Sequence, residues 1–254
     1  MSGLRTTVLV LSVACGLPGC SKPWVRPYEW KDQGAALQTL AARAESVKSV
    51  QAVCGLTLSS PGGDSVNFDG AIVVQIDEQK KVWLRLRTWK FSQAVFDITV
   101  RPDGVWLLAS DEAMKRQSQG AAALRPEEMA AAWKFLLGSF FSEPGAEVVD
   151  TGGPEFVVRR AEGRVQYAAV VDRATLTVRE YTITADGSTL QTLSLSNYRE
   201  LGPDATPWPM RIVATGPQGV IEVRLDDVEL NASLEESVFT PPRRAVKQSG
   251  AAQP

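Results

Sequence analysis

The central part of the chain alternates between apolar and polar positions with a period of two. In residues 66–76 every even position except Gly70 is apolar, and polar side chains stand at several odd positions. Residues 82–88 and 94–100 repeat this alternation. Because the side chains of a strand point alternately to its two faces, a period of two is typical of strands with one buried face. The pattern predicts an antiparallel meander with one apolar face.

Turn signals and further strand patterns continue the meander. The sequence Arg-Pro-Asp-Gly at residues 101–104 is typical of a turn, because glycine adopts a positive φ readily. Asp186-Gly187 is typical of a two-residue hairpin turn. The chain is therefore predicted to be mainly β, an α+β fold with a single antiparallel sheet of about eleven strands. Beyond the first turn, the strand patterns lie at 105–109, 155–160, 164–171, 175–183, 189–197, 209–215 and 219–230.

Two segments have a helical period instead. In residues 32–48 apolar side chains recur every three or four positions, which predicts an amphipathic helix before the sheet. In residues 126–141, Pro126 suits the first helical position and a wide apolar stripe follows it as far as Phe141. We expect this second helix to be inserted midway through the meander.

The start of the chain has the pattern of an export signal. Arg5 is the one charged residue before position 20, and the apolar stretch after it is too short to span a bilayer as a helix. The sequence Leu-Pro-Gly-Cys at 17–20 resembles the lipobox of bacterial lipoproteins. The resemblance implies that residues 1–19 are cleaved as a signal peptide and that Cys20 is lipidated. A plain signal peptide with an incidental cysteine is the alternative, and Cys15 is a second candidate for lipidation.

The remainder divides into three parts by composition. Residues 20–31 are polar and aromatic and contain two prolines, so they are expected to form a lipidated tether. Their aromatic side chains suit either a membrane interface or packing against the domain. No linker pattern follows, and residues 32–242 are predicted to be one domain. The polar segment 243–254 is predicted to be a disordered tail.

The residue types exclude several kinds of chemistry. The sequence contains no histidine and three cysteines, which excludes Ser-His-Asp and Cys-His catalysis and zinc sites with imidazole ligands. Cys54 is expected to be a small buried cysteine. No nucleotide-binding or nucleophile motif is present, so we expect no enzyme activity, no metal and no cofactor. With 27 basic and 29 acidic residues and no basic cluster, no nucleic-acid partner is expected.

A meander with one apolar face has to cover that face. Two helices cover a curved sheet of this size incompletely, which would leave an apolar hollow suited to acyl chains. About ten buried methylenes contribute roughly 8 kcal/mol before the cost of ordering the chain. A fully packed core gives the same sequence pattern, so periodicity alone leaves both alternatives open.

Four stretches of the chain are typical of one family of proteins: Val-Trp-Leu-Arg-Leu-Arg (82–87), Val-Phe-Asp-Ile-Thr-Val-Arg-Pro-Asp-Gly-Val-Trp-Leu (95–107), Val-Glu-Leu-Asn (228–231) and Phe-Thr-Pro-Pro (239–242). Together with the order of the elements, they resemble the LolA/LolB superfamily of lipoprotein carriers, and the likeness covers residues 36–242. The resemblance implies an unclosed, strongly curved β-barrel with two main helices over its concave face and a hollow that takes lipoprotein acyl chains.

The LolB branch of that superfamily is itself an outer-membrane lipoprotein, which matches Cys20. Ser21, and not Asp, follows Cys20, and by the common sorting rule this implies the outer membrane, with the domain facing the periplasm. The segment 88–92 lies between two predicted strands and carries two aromatic side chains. It is either a membrane-inserting loop or a pair of buried aromatics.

These observations and the resemblance predict a monomeric, membrane-anchored lipoprotein that binds lipid or lipoprotein acyl chains and acts in the localisation of lipoproteins to the outer membrane. A periplasmic carrier protein is an expected partner. The alternative is a non-enzymatic envelope scaffold or interaction protein with a packed β core. The residues expected to line the hollow come from the sheet and the second helix: Phe68, Ile72, Val74, Leu84, Leu86, Phe96, Ile98, Trp133, Leu137 and Phe141.

Overall fold

The computed structural model describes residues 25–79, 81–91, 93–110, 133, 135–137, 139–142, 144–150 and 152–247. The helices within these residues are α1 (Gln33–Ser46), α2 (Ser139–Ser142) and a 3-10 helix (Glu236–Phe239). The strands are β1 (Ser49–Ser59), β2 (Ser65–Ile76), β3 (Val82–Lys90), β4 (Gln93–Arg101), β5 (Gly104–Ala109), β6 (Glu147–Val149), β7 (Glu155–Glu162), β8 (Val165–Asp172), β9 (Thr177–Ala185), β10 (Ser188–Leu201), β11 (Thr206–Gly216), β12 (Gly219–Leu225), β13 (Glu229–Leu230) and β14 (Val246–Lys247).

The strands of the described residues form one antiparallel sheet of 14 strands. Its order is β14-β5-β4-β3-β2-β1-β12-β11-β10-β9-β8-β7-β6, and β13 pairs with β1 beside this path. Within the described residues the edge strands β14 and β6 are not paired with each other, so the sheet is open. The predicted class, mainly β with a single antiparallel sheet, is confirmed.

The predicted strand number is too low. Strand β1 was missed, although its even positions from Val50 to Leu58 are all apolar and buried. Strands β6, β13 and β14 have three residues or two, which is too short for an alternation to be recognised in the sequence.

One face of the sheet carries a continuous apolar core. Residues directly opposite each other in antiparallel strands point to the same face. Ile72 lies opposite Leu86, Leu86 lies opposite Ile98, and Val74 lies opposite Leu84. All five side chains are at most 1% exposed. We call this side of the sheet the inner face.

The two halves of the meander meet where β1 pairs with β12, with Cys54 opposite Leu225. Cys54 points to the inner face and is buried, as predicted. Burial raises the pKa of its thiol to about 12, and the negative charge of Asp226 adds to this effect. The side chain is therefore a neutral thiol, and it contributes as a small apolar group.

Helix α1 begins after Asp32, whose Oδ1 accepts a hydrogen bond of 2.7 Å from the backbone N–H of Ala35. This N-cap satisfies a donor that the first turn leaves free. Ala36 and Leu40 bury the apolar stripe of α1 in the core of the inner face. The predicted helix over 32–48 is confirmed, with its end two residues earlier.

The prediction of two main helices does not hold for the described residues. They contain one long helix, α1, and the four-residue α2. Most of the predicted second helix, including residues 126–132, lies outside the described residues. Leu137 is already in a turn, and Gly138, a poor helix former, follows it in the sequence before α2 begins.

Residues 25–31 of the predicted tether pack against the domain. Val25 is buried, and the backbone N–H of Tyr28 donates a hydrogen bond of 2.6 Å to the carbonyl oxygen of Ala174. The ring of Trp30 lies 5.3 Å from that of Phe156 in an edge-to-face arrangement. Of the two alternatives for the aromatic side chains, the structure therefore shows packing on the domain for Tyr28 and Trp30.

The end of the described chain crosses the outer face of β3 and β4. Phe239 of the 3-10 helix is 1% exposed, and its ring lies 5.8 Å from that of Trp83. Val246 and Lys247 then form β14 on the edge of β5. Residues 246 and 247 of the predicted disordered tail are therefore a short strand, and residues 248–254 lie outside the described residues.

The outer face carries a charge cluster around Glu222 of β12. Its carboxylate accepts hydrogen bonds from Arg211 (2.9 and 3.1 Å) and from Arg224 (2.6 Å). The bonds from Arg211 are the largest influence on the pKa of Glu222. They lower it to about 2, even though partial burial acts in the opposite direction.

Replacement of Glu222 by Gln should lower the free energy of unfolding by about 1 kcal/mol at pH 7. Because the folded-state pKa lies below the ordinary value of 4.5, the ion pairs stabilise the fold above that value. Their contribution is lost as the pH falls towards about 2. Urea unfolding of wild type and variant between about pH 7 and about pH 3 should show the difference shrinking. Exposed Glu236→Gln is the control, and a difference independent of pH would contradict the prediction.

Candidate functional site

The ten residues predicted to line a hollow lie on one side of the molecule. Seven are on the inner face of β2, β3 and β4, and the other three lie in the segment 133–142. Nine of them are buried, and Phe68 is half-buried, with its ring 5.7 Å from that of Phe96. Contact of these residues with a ligand remains a prediction.

A cavity of about 40 Å³ lies between the inner face and the segment 133–142. We call it the sheet cavity. Its lining comes from β3, β2, β1, β12, β11 and β10, which are six consecutive strands of the sheet. The lining residues are Cys54, Leu56, Ile72, Leu86, Trp133, Leu136, Gln191, Leu193, Ile212, Ala214, Ile221 and Val223.

The sheet cavity shows that the sheet is strongly curved. Six flat strands would span about 24 Å at their usual spacing of about 4.8 Å. A cavity of about 40 Å³ contacts all six only if the sheet bends around it. The inner face is therefore concave.

A second cavity, of about 70 Å³, lies between α1, the segment 135–141 and strands β9, β10 and β11. We call it the α1 cavity. Its lining is more polar, because Arg43, Thr177, Tyr181, Tyr198 and Trp208 contribute to it beside apolar side chains. None of its described lining residues is Asp or Glu.

Leu136 lines both cavities and therefore lies between them. One water molecule needs about 10–15 Å³ of such a volume. The sheet cavity therefore has room for about three or four water molecules and the α1 cavity for about five to seven. An acyl chain of ten carbons is larger than either cavity. Binding of such a chain therefore requires the side chains of the segment 133–142 to move.

Aromatic side chains hold this segment against the inner face. The ring of Phe135 lies 5.4 Å from that of Tyr167 and 5.7 Å from that of Tyr181. Phe140 lies 5.7 Å from Tyr181. Such pairs contribute about 0.5–1.5 kcal/mol each beyond their buried area. The hydroxyl of Tyr181 is 3.5 Å from the carbonyl oxygen of Phe135, so this polar contact is weak.

The polar groups of the α1 cavity are hydrogen-bond donors. Arg43 donates from Nη1 to the carbonyl oxygens of Thr175 and Leu176, at 3.1 and 3.0 Å. Burial lowers the pKa of Arg43, although nearby Tyr28 and Glu200 oppose this effect, and a guanidinium remains protonated. Burial also raises the pKa of Tyr198, whose neutral hydroxyl donates to the carbonyl oxygen of Val178.

The β3–β4 hairpin projects one apolar side chain into solvent. Phe91 is 90% exposed and has a φ of 49°, which is unusual for an aromatic residue. Trp89 is half-buried, and the ammonium group of Lys90 lies 5.9 Å from the centre of the Phe91 ring. Of the two aromatic side chains in the segment 88–92, only Phe91 is free of the core.

The sequence prediction missed the side of the site formed by the second half of the chain. Trp208 lies in β11, and its ring stacks on that of Trp133 at 6.4 Å and 21°. Alternation at 209–215 predicted the strand, but Trp208 precedes that range. Arg43 was not among the predicted site residues. Arg43 lies between Leu40 and Val47, which are both buried. A charged residue at such a position in a helix was the sequence signal for a partly buried cation.

Solved structures of other proteins share this fold, and three of them serve as examples. The first is described as an outer membrane lipoprotein-sorting protein domain from Vibrio parahaemolyticus, with 18% identity and a TM-score of 0.57; the match covers 81% of this chain and 94% of the other. A DUF1329 family protein from Desulfovibrio piger matches at 12% identity and a TM-score of 0.54, over 83% and 98% of the two chains. A LolA superfamily protein from Nitrosomonas europaea matches at 10% and 0.51, over 80% and 97%.

The chain therefore has the fold of LolA superfamily proteins, and the resemblance predicted from the sequence is confirmed for the fold. No model of a known protein family matches the sequence, and no curated protein matches it. Among the helices of the described residues, none is both long and apolar enough to cross a membrane.

Proposed function

We propose that this chain is a membrane-anchored lipoprotein that binds the acyl chain of a lipid or lipoprotein on its concave inner face. The observation that carries the proposal is the pair of cavities that meet at Leu136, beneath a segment held mainly by ring contacts. The fold supports it, because the chain shares that fold with a lipoprotein-sorting domain. The proposal includes no covalent chemistry.

The energetics of binding depend on how many side chains the ligand displaces. Burying about ten methylenes contributes roughly 8 kcal/mol. Exposing one large apolar side chain costs about 2 kcal/mol. Before the cost of ordering the ligand, the gain exceeds the loss as long as fewer than about four such side chains become exposed. Displaced side chains that pack elsewhere reduce the loss further.

The test uses the full chain with Cys20→Ala, exported to the periplasm and purified without detergent. We call this protein the unlipidated chain. Native mass spectrometry should detect a bound lipid or acylated peptide. The unlipidated chain should also bind the apolar fluorophore N-phenyl-1-naphthylamine, and laurate should displace it. A protein that contains no lipid and binds neither probe would contradict the proposal.

A packed scaffold is the second candidate function, and one observation favours it. Trp133, Leu137, Phe140 and Phe141 are at most 6% exposed and already belong to the packed core. A scaffold would use its outer face to bind another envelope protein. A negative result in both binding assays would favour this function.

Membrane attachment belongs to the same proposal. The lipobox-like sequence that ends at Cys20 lies outside the described residues and supports a lipid anchor. Ser21 supports attachment to the outer membrane, with the domain in the periplasm. We infer a monomer, because the inner face of one chain already contains both cavities. A periplasmic carrier protein belongs to the proposal as a partner.

Phe91 at the hairpin tip is suited to contact a lipid surface, and we expect Phe91→Asn to weaken vesicle binding of the unlipidated chain about ten-fold. A buried Phe contributes about 1.5–3 kcal/mol, and 1.4 kcal/mol corresponds to ten-fold. Asn tolerates the positive φ of this turn, so thermal stability should not fall. Co-sedimentation with phospholipid vesicles measures the effect.

Leu190→Asn is the matched control for Phe91→Asn, because Leu190 is an exposed apolar side chain on β10. It should leave vesicle binding unchanged. Equal losses in the two variants would mean that general surface apolarity, and not the hairpin tip, determines membrane contact.

A further inference from the structure

The indole of Trp208 contains a buried donor that has no acceptor among the described residues. Trp208 is 3% exposed and lines the α1 cavity. Its Nε1 has no hydrogen-bond partner within the part of the chain that the structure describes. Leaving such a donor unpaired costs about 1–3 kcal/mol. Buried polar groups in native proteins are nearly always paired, so an unpaired one requires an explanation.

The surroundings of Trp208 suit a hydrogen-bond acceptor. Arg43 brings a guanidinium to the same cavity, and Thr177 brings a hydroxyl. No carboxylate is among the described lining residues, so the lining offers donors and a positive charge, and Glu200, which acts on Arg43, lies outside the lining. A carbonyl or carboxylate oxygen is the group that these donors would bind.

The sheet cavity on the other side of Leu136 has the opposite character. Apart from Gln191 and the neutral thiol of Cys54, its lining residues are aliphatic or aromatic. A thiol is a weak donor. An alkyl chain is the group that loses least by entering this cavity.

Resting on the proposed function, we propose that the hollow binds an acyl amphiphile in one orientation. Its carbonyl head lies in the α1 cavity, where Trp208 Nε1 donates a hydrogen bond to the carbonyl or carboxylate oxygen. Its alkyl chain passes the position of Leu136 and enters the sheet cavity. The reverse orientation leaves Trp208 unpaired and places the carbonyl in a cavity whose described lining, apart from Gln191 and Cys54, is aliphatic or aromatic.

The experiment compares the affinities of the unlipidated chain for three amphiphiles, each of which has a twelve-carbon chain. Laurate has a carboxylate, methyl laurate has an ester carbonyl, and dodecyltrimethylammonium has a cation without an acceptor. Displacement of N-phenyl-1-naphthylamine measures each affinity. We expect the two acyl compounds to bind and the ammonium compound to bind at least about ten-fold more weakly, since it lacks the hydrogen bond and faces Arg43.

Trp208→Phe is the matched variant, because it removes the N–H and keeps a ring that stacks on Trp133. It should weaken binding of laurate and methyl laurate about five-fold, which corresponds to the loss of one hydrogen bond. Trp106→Phe, on the outer face of β5, is the control and should bind as the wild type does. Thermal unfolding checks that both variants are folded.

The outcomes separate this inference from the proposed function. Binding of methyl laurate as tight as that of laurate supports an acyl ester as ligand, and preference for laurate supports a free fatty acid. Unchanged laurate binding in Trp208→Phe overturns the orientation, and so does equal binding of the ammonium compound by the wild type. Failure of all three compounds would contradict the proposed function itself.

Discussion

Leu136→Ala should tighten binding of an acyl chain about ten-fold and lower the free energy of unfolding by about 1–2 kcal/mol. Leu136 is half-buried and lines both cavities. Its truncation joins the two cavities and removes a side chain that the ligand otherwise displaces. A saving of about 1.4 kcal/mol corresponds to a ten-fold gain in affinity. Laurate displacement and urea unfolding of the same protein measure the two effects.

Leu136→Trp should have the opposite effect on binding. The larger ring fills the space on either side of position 136, so laurate should no longer displace the fluorophore. Leu230→Ala is the matched control, since Leu230 is a half-buried leucine of β13 that lines neither cavity. It should cost similar stability and leave binding unchanged.

The Leu136 pair distinguishes a carrier from a scaffold. In a packed scaffold, the alanine variant would lose stability and still bind no laurate. In a carrier, a loss of stability accompanies a gain of affinity. The same result for alanine and tryptophan would mean that the ligand does not pass position 136.

Alternation along the chain was sufficient to predict most of the sheet, because one buried face requires an apolar residue at every second position. Strands β2 to β5 and β7 to β12 all contain a predicted strand pattern or overlap with one. The predicted Asp186-Gly187 turn has φ values of 49° and 78°. These positive values at both central residues are those of the turn that suits a hairpin.

Pairing across the sheet could not be predicted from local patterns. The β1–β12 pairing brings the second half of the meander beside the first. The predicted lining residues came from β2, β3 and β4 and from the helical stripe. Ile72, Leu86 and Trp133 do line the sheet cavity, and Phe141 lines the α1 cavity. The other six, Phe68, Val74, Leu84, Phe96, Ile98 and Leu137, lie in the core outside these two cavities.

The polar side of the site depends on contacts between residues far apart in the sequence. Arg43 of α1 contacts Leu176, and Trp208 stacks on Trp133. The neighbouring residues in the sequence give no sign of these contacts. Their shared position follows from the curvature of the sheet, which places α1 beside β9 and β11. A sequence pattern with a period of two contains no information about that curvature.

Cys20→Ala should release the protein from membranes almost completely. Two acyl chains on one thioether-linked diacylglycerol anchor a protein stably, whereas a single chain gives an association constant of only about 10⁴ M⁻¹. The apolar stretch before Cys20 is too short to replace the anchor by spanning the bilayer. Fractionation of cells followed by detection in the membrane and soluble periplasmic fractions measures the effect.

Cys15→Ala is the matched control, because Cys15 is the other cysteine near the end of the apolar stretch. It should leave the protein in the membrane fraction, and metabolic labelling with radioactive palmitate should persist. Release by Cys15→Ala and retention by Cys20→Ala would assign the lipid to Cys15. Retention of both single variants without label would require an anchor other than lipid. Binding of laurate by the unlipidated chain is measured separately from membrane attachment. Loss of the anchor and loss of the ligand site are therefore distinguishable. Either membrane anchoring or acyl-chain binding can be contradicted alone.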